Sequence, residues 1–456
     1  MKRTSTAELL TAVNGTLHCG DPATPIDGVS TDTRSIDANA AFFALAGENF
    51  DAHNFLDKAV DGGAAVLVVS SIPEGVDFKN AAVVLVNDTL TALQQLAAWY
   101  RQQLDISVVG ITGSNGKTST KDFTKAVLGQ KFSVTATLGN LNNHIGLPLS
   151  VLAADESHQV CIWEMGMNHA GEIAPLCQIA KPDIGIITNV GTAHIEHLGT
   201  CEAIAEEKGE LARCLTDEGT LIVSAACDYV EYFSARTKAR TLVAGNGRGK
   251  VRAENLVMTA TGSEFDLIID GQRSERVSLP VVGRHMVANA LLAAGAGFTL
   301  GMTTKEISAG LNGAELTSGR LRCFESNGVT VFDDTYNANP ESMAAAIETL
   351  VELKQEGSRY VVLGQMAELG DHAEEAHFSI GALAAERGVI TVSVGEEAKG
   401  IHEGALSKDG KAIHFSDLTE SSEWLKQECK AGDMVLFKGS RAAGMERVMN
   451  KSFPTN

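Results

Sequence analysis

Hydrophobic and polar positions follow two rhythms along the chain. Short runs at Ile106–Ile111, Gln159–Met165, Ile184–Asn189 and Thr220–Ser224 are apolar almost throughout and end in turn residues. That is the pattern of strands buried on both faces. Between them apolar residues recur at helical spacing, so 106–318 reads as a mostly parallel sheet with covering helices. Glu264–Ile269 and Arg273–Leu279, turning at Asp270-Gly271, read as an antiparallel insertion, and helices over about 286–299 and 304–312 close the unit. A second βα series begins near 320, with strands at Val329–Asp333, Tyr360–Gly364, Ile390–Val394, Ala412–Phe415 and Met434–Lys438. Residues 1–85 are mixed: an amphipathic helix near Ser5–Val13 and strands at Ala64–Ser70 and Ala81–Val86 precede a connecting helix, DTLTALQQLAAWYRQQL (88–104). The expected fold class is α/β in three domains. These are a small N-terminal α/β domain (1–105), a central P-loop ATPase-type domain (106–318) and a C-terminal Rossmann-like domain (319–456).

Composition narrows the function. A chain of 456 residues exceeds a single core, and 44% hydrophobic with 21% charged residues is an ordinary globular balance. The net charge of −20 argues against a nucleic-acid partner. It also requires any polyanionic ligand to be held by local basic groups and backbone N–H against the overall field. None of the eight cysteines forms a C-x-x-C pair, so neither a zinc knuckle nor a disulfide framework is indicated. MKRTSTAELLTAVNG lacks the long apolar region of a signal peptide, and no uncharged run approaches the ~20 residues that span a bilayer. A cytoplasmic protein without membrane insertion is expected.

The chemistry concentrates at strand ends. GITGSNGKTST (110–120) misses the strict G-x-x-x-x-G-K-[ST] spacing by one position but keeps T-G-x-x-G-K-T between a strand and a helix. Gly113 and Gly116 admit phosphates to the backbone, Lys117 supplies a point charge, and the Thr118 hydroxyl is a candidate magnesium ligand. CIWEMGMN puts Glu164 at a strand's C-terminal end, where it is either a metal ligand or a salt-bridged strand end. TNVGTAHIEH puts His194 on the adjacent loop, where it is either an ordinary solvent-facing polar side chain or a metal ligand beside Glu164. In EAIAEEKGELA, Lys208 sits among Glu206, Glu207 and Glu210, and composition favours an ordinary solvated helix face. VFDDTYNANPESM, LGQMAELG and FKGSRAAGME are polar loops leaving strands of the third domain. In the last, Lys438, Ser440 and Arg441 suit a carboxylate or phosphate pocket.

TGSNGKTST, WEMGMN, TNVGTAH, the Lys208 helix and DDTYNANPESM, in this order and over essentially the whole chain, resemble the Mur ligase family. Within it, DDTYNANPESM, LGQMAELG and GNLNNHIGLPLS (139–150) are similar to the branch that joins D-alanyl-D-alanine to UDP-N-acetylmuramoyl-tripeptide in peptidoglycan precursor synthesis. The resemblance implies an ADP-forming amide ligase that acts through an acyl phosphate and functions as a monomer. Gly113, Ser114, Asn115, Gly116, Lys117, Thr118 and Ser119 would hold ATP phosphates. Asn289, in GRHMVANALLAAG, would contact adenine, and Arg320, Asp334 and Asn337 would reach the nucleotide from the domain junction. Two magnesium ions would be held by Thr118, Glu164 and His194, with Lys208 carrying a carbamate formed from CO₂. Lys117, Lys208 and His194 would be the catalytic residues, His194 as candidate base. Asn142, Asn143, Tyr336, Asn339, Lys438, Ser440 and Arg441 would shape the substrate site. VSTDTRSI (29–36) and GENFDAHNF (47–55) resemble the uridine-diphosphate sugar pocket, with Ser30, Thr31, Arg34 and His53 as its polar candidates.

The chain departs from the family pattern in three ways: Met286 for a common asparagine, Thr317-Ser318 where proline is frequent, and Thr335 for serine. The alternatives are another, amino-acid-adding Mur ligase or a folylpolyglutamate synthase. The folate enzyme is disfavoured because it starts almost at its phosphate loop, whereas about 85 residues precede the connecting helix here.

Overall fold

The computed structural model describes residues 1–454 apart from Ala260 and Gln355. Three larger sheets, besides a two-stranded pairing of Thr4–Ser5 with Pro25–Ile26, occupy three successive stretches of the described chain. The first has five strands in the order Thr16–Cys19, Ala82–Leu85, Val66–Val69, Ala40–Phe43, Gly28–Ser30, parallel except for its first pairing. Ala40–Phe43 and Val66–Val69 are buried on both faces, which accounts for their lack of polar alternation.

The central sheet has nine strands. Seven pair in parallel, from Val134–Ala136 through Val160–Glu164, Ser107–Thr112, Ile184–Ile187, Thr220–Ser224 and Arg240–Asn246 to Val251–Met258. Ser107–Thr112 lies between Val160–Glu164 and Ile184–Ile187, so the three chemistry-bearing loops emerge side by side at one C-terminal edge. Two expectations change. The hairpin Ser263–Ile269 and Gln272–Leu279 is no insertion: it pairs with Val251–Met258 and extends the central sheet. Val134–Ala136, Arg240–Asn246 and Val251–Met258 went unread because they are half-buried edge or mixed segments carrying charge.

The third sheet runs Arg322–Ser326, Val329–Asp334, Met434–Lys438, Arg359–Leu363, Ile390–Val394, Ala412–Phe415, antiparallel only at its first pair. Val329–Asp334 and Met434–Lys438 are neighbours, so Asp334 and Lys438 end side by side.

The segments are packed together. Leu93 and Leu96 of the helix Thr89–Arg101 share a buried cluster with Leu147, Val151 and Leu176 of the central segment. At the end of that helix, Arg101 donates from Nε to Ala180 O at 3.0 Å and from Nη1 to Leu104 O at 3.1 Å. Burial pulls its pKa down, and three backbone carbonyls, the third being Ile106 O, compensate the charge. Among the described residues, no helix is long and apolar enough to cross a membrane.

Candidate active site

The phosphate loop needs its glycines for space as well as for backbone angle. Gly113 has φ of 150°, and a Cβ there would lie 1.8 Å from Thr188 Oγ1. Gly116 has φ of 79°, and its Cβ would meet Asn289 Oδ1 at 2.6 Å. The neighbouring strand-end loop holds the turn in shape: Ser114 N donates to Asn189 O at 3.1 Å and Asn115 N to Asn189 Oδ1 at 2.8 Å. Among the described residues no side chain caps the helix Lys117–Leu128, which leaves its first N–H groups open to a ligand. Lys117 Nζ folds onto Gly113 O at 2.5 Å. Desolvation lowers its pKa to about 8, and Glu164 partly opposes the shift.

Glu164 is 1% exposed. Its Oε2 accepts from Thr118 Oγ1 at 3.3 Å and Asn142 Nδ2 at 3.4 Å. Its Oε1 has no hydrogen-bond donor among the described residues, and Lys121 Nζ stands 3.7 Å away. A buried carboxylate oxygen without a donor, beside a hydroxyl oxygen, fits a hard cation. No three His, Cys, Asp or Glu among the described residues gather around a point. The fit is therefore to an ion that completes its shell with phosphate oxygens and water, as magnesium does.

Lys208 overturns the solvated-face reading. It is 1% exposed, and desolvation first, then repulsion by Lys117, holds its pKa well below the ordinary value. Around it the glutamates divide. Glu206 and Glu210 pair with Arg213 on the exposed side, while buried Glu207 accepts from Gly171 N and Ile173 N, both at 2.7 Å. Glu207 thus anchors the start of the helix Ile173–Ala180, a role sequence reading missed. Lys208 itself does not line the cleft.

A cavity of about 600 Å³ lies between the phosphate loop and the third segment. Ser114–Ser119, Asn142, Asn143, Glu164, His194, Asn289, Arg320, Asp334, Tyr336, Asn337, Asn339 and Lys438 all line it, so most expected site residues converge. His285 joins them, its pKa pushed down to about 4 by burial. Arg320 stacks on Tyr336, 4.1 Å from guanidinium to ring centre, and reaches Thr118 Oγ1 at 3.4 Å. Glu341 Oε1 accepts from Thr192 N at 2.8 Å across the cleft. His194 Nδ1 lies 2.5 Å from Glu368 Oε2, without hydrogen-bond alignment, and that contact is the main influence holding the Glu368 carboxyl below its usual range. The pairings of Glu341, Glu368 and Lys121 were not readable in sequence, although the first two lie in the loops singled out above, since their partners lie 149, 174 and 43 positions away.

Several expectations need correction. Lys438 does not present a free ammonium: its Nζ donates to Asp334 Oδ2 at 2.6 Å and Asn337 O at 3.0 Å, so both residues are committed to each other. Ser440 is buried outside the cleft and Arg441 is exposed, 3.6 Å from Glu446, because the chain turns away after the strand. In the first segment Ser30 and Thr31 line a separate cavity of about 430 Å³ with Asp27, Asp32, Leu149 and Leu152. Arg34 is exposed and clamps Asp32, whose pKa its hydrogen bonds lower to about 2. His53 lines neither cavity. It is buried, accepting from Ser70 N at 3.0 Å, with Asp51 Oδ1 at 2.6 Å from its other ring nitrogen. His53 ties the turn at 51–55 to a strand end and is a structural histidine.

Comparison with known proteins fits this arrangement. Residues 111–297 match the Mur ligase middle domain, and residues 319–441 match the Mur ligase glutamate ligase domain. A UDP-N-acetylmuramoyl-tripeptide–D-alanyl-D-alanine ligase from Bacillus subtilis is 39% identical over 433 residues, covering 93% of each chain. The crystal structure of MurF from Acinetobacter baumannii superposes with a TM-score of 0.91 at 34% identity, covering 99% of each chain. MurF ligase from Thermotoga maritima, solved in complex with ADP, gives 0.83 at 29% identity, covering 93% of this chain and 96% of that one. With both domain types in order, and with relatives aligned from the first sheet to the last, the chain belongs to the Mur ligase family.

Proposed function

We propose that this Mur ligase uses ATP to join D-alanyl-D-alanine to UDP-N-acetylmuramoyl-tripeptide, a cytoplasmic step of peptidoglycan precursor synthesis. The reading is supported by relatives of that activity aligned over nearly the full length and by the ADP complex of one solved relative. The observation that carries it is the cleft itself: a phosphate loop faces the Asp334–Asn339 loop across one cavity.

A carboxylate is a poor electrophile, so an amide requires activation. Lys117 and the free N–H groups of the helix Lys117–Leu128 would hold the β- and γ-phosphates while the tripeptide's terminal carboxylate oxygen attacks the γ-phosphorus. ADP departs and an acyl phosphate remains. The dipeptide amine then attacks the acyl carbon, inorganic phosphate leaves with the C–O bonding pair, and the amine proton passes to a base, for which His194 is our candidate. Magnesium, two ions in our reading, held by Thr118 and Glu164 with His194 and a Lys208 carbamate nearby, would neutralise the charge of triphosphate and carboxylate as they approach. Lys208 suits carbamate formation because a neutral amine can add to CO₂, releasing one proton. The uridine-diphosphate sugar is assigned to the Ser30–Thr31 cavity, with Arg34 turning from Asp32 to join it.

Mass spectrometry of a reaction holding both substrates and Mg·ATP tests this reading. The nucleotide product should gain the dipeptide less one water, with one ADP per product. Addition of a single amino acid in preference to the dipeptide would support another branch of the family instead.

A further inference from the structure

Lys121 lies one helical turn beyond Lys117 and is not absorbed by the mechanism. It is 6% exposed and sits between two buried carboxylates, 3.1 Å from Asp122 Oδ1 and 3.7 Å from Glu164 Oε1. Its Nζ also donates to Thr137 O at 3.3 Å, and the same threonine's Oγ1 accepts from Glu164 N at 2.9 Å. The other oxygen of Asp122 accepts from Thr317 N at 2.8 Å. Thr317 belongs to the linker from which the third segment hangs. Three residues later Arg320 returns to Thr118 Oγ1, and Thr118 closes the circuit on Glu164.

Burying two carboxylates and an ammonium is costly, and a well-packed apolar side chain would stabilise such a site at least as well. What the charges add is orientation. Thr118 and Asn142 hold Oε2, whereas Oε1 has no hydrogen-bond donor among the described residues, so the 3.7 Å contact with Lys121 is what holds that second oxygen in place. The link through Asp122 extends that constraint to the linker backbone.

We propose that Lys121, braced by Asp122, is a positioning residue that holds Glu164 ready for the metal and couples metal–nucleotide binding to the seating of the linker at Thr317. This rests on Glu164 serving as a metal ligand.

The test measures ADP affinity by calorimetry with Mg²⁺ and with EDTA, taking the ratio as the metal-dependent gain. Lys121→Met removes the charge at similar length. It should lower the gain at least tenfold while EDTA affinity stays within about threefold, and Lys121→Arg should recover most of the gain. Asp122→Ala should lower the gain at least threefold and speed hydrogen exchange of the Thr317 amide at least tenfold. It also serves as the second variant should Lys121→Met not fold. An unchanged or increased gain in the folded variants would overturn the proposal, since an increase would mean that Lys121 merely competes with the metal. Absence of any gain in the unaltered protein would instead overturn the metal assignment itself.

Discussion

Asn339 Nδ2 donates to Asn115 Oδ1 across 2.8 Å, joining a helix cap of the third segment to the phosphate loop. The same residue's Oδ1 accepts from Ser342 N at 2.9 Å, capping the helix Pro340–Glu352. One side chain thus both starts a helix and bridges the cleft.

The two roles separate by substitution. Asn339→Ala loses both, and its cap alone is worth about 1 kcal/mol, a few degrees of melting temperature. Asn339→Asp keeps the cap and removes the donor. It should lower the melting temperature less than the alanine variant does while lowering kcat/KM about fivefold, the worth of one hydrogen bond of about 1 kcal/mol. Equal effects on both quantities in both variants would contradict the bridge.

Lys117 sets a pH dependence. Its ligand-free pKa is lowered to about 8, and bound phosphates raise it again, so binding takes up a proton above that pH. Affinity for ADP in EDTA should be flat below pH 8 and fall as pH rises above it, by up to about tenfold per unit. Lys117→Met should bind weakly and lose this slope. Calorimetry across pH 6.5 to 9.5 measures both.

Gly116→Ala places a methyl group 2.6 Å from Asn289 Oδ1 at a φ of 79°. Nucleotide affinity should drop at least tenfold while binding of the tripeptide nucleotide to the first segment survives. Normal nucleotide binding by the alanine variant would refute the packing described.

Lys208→Ala should reduce turnover about a hundredfold or more, in the range for lost electrostatic support of a transition state. Added acetate or formate should restore part of it, and depletion of dissolved CO₂ should slow the unaltered enzyme. Full activity without CO₂ would exclude the carbamate.

These tests draw unequally on what the sequence made legible. The phosphate loop, Glu164 and the Asp334–Asn339 loop were readable because each is a contiguous motif behind an apolar strand. Lys208 was not: four charged residues along one helix do not reveal which side chains turn inward, and only family resemblance singled it out. His53 misled for the converse reason, since a histidine in a polar loop looks available until Ser70 and Asp51 are seen to occupy both ring nitrogens. Lys121 and Asp122 sat inside a motif-bearing helix without signal, because Glu164 and Thr317 reach them only through the fold.

The central claim is that the γ-phosphoryl group passes to a peptide carboxylate on the way to an amide. Steady-state phosphate release with Mg·ATP, measured with both UDP-N-acetylmuramoyl-tripeptide and D-alanyl-D-alanine and with each omitted, tests it most directly. Release should require both substrates and fall to background when either is missing. Sustained release at the same rate without the dipeptide would contradict ligation.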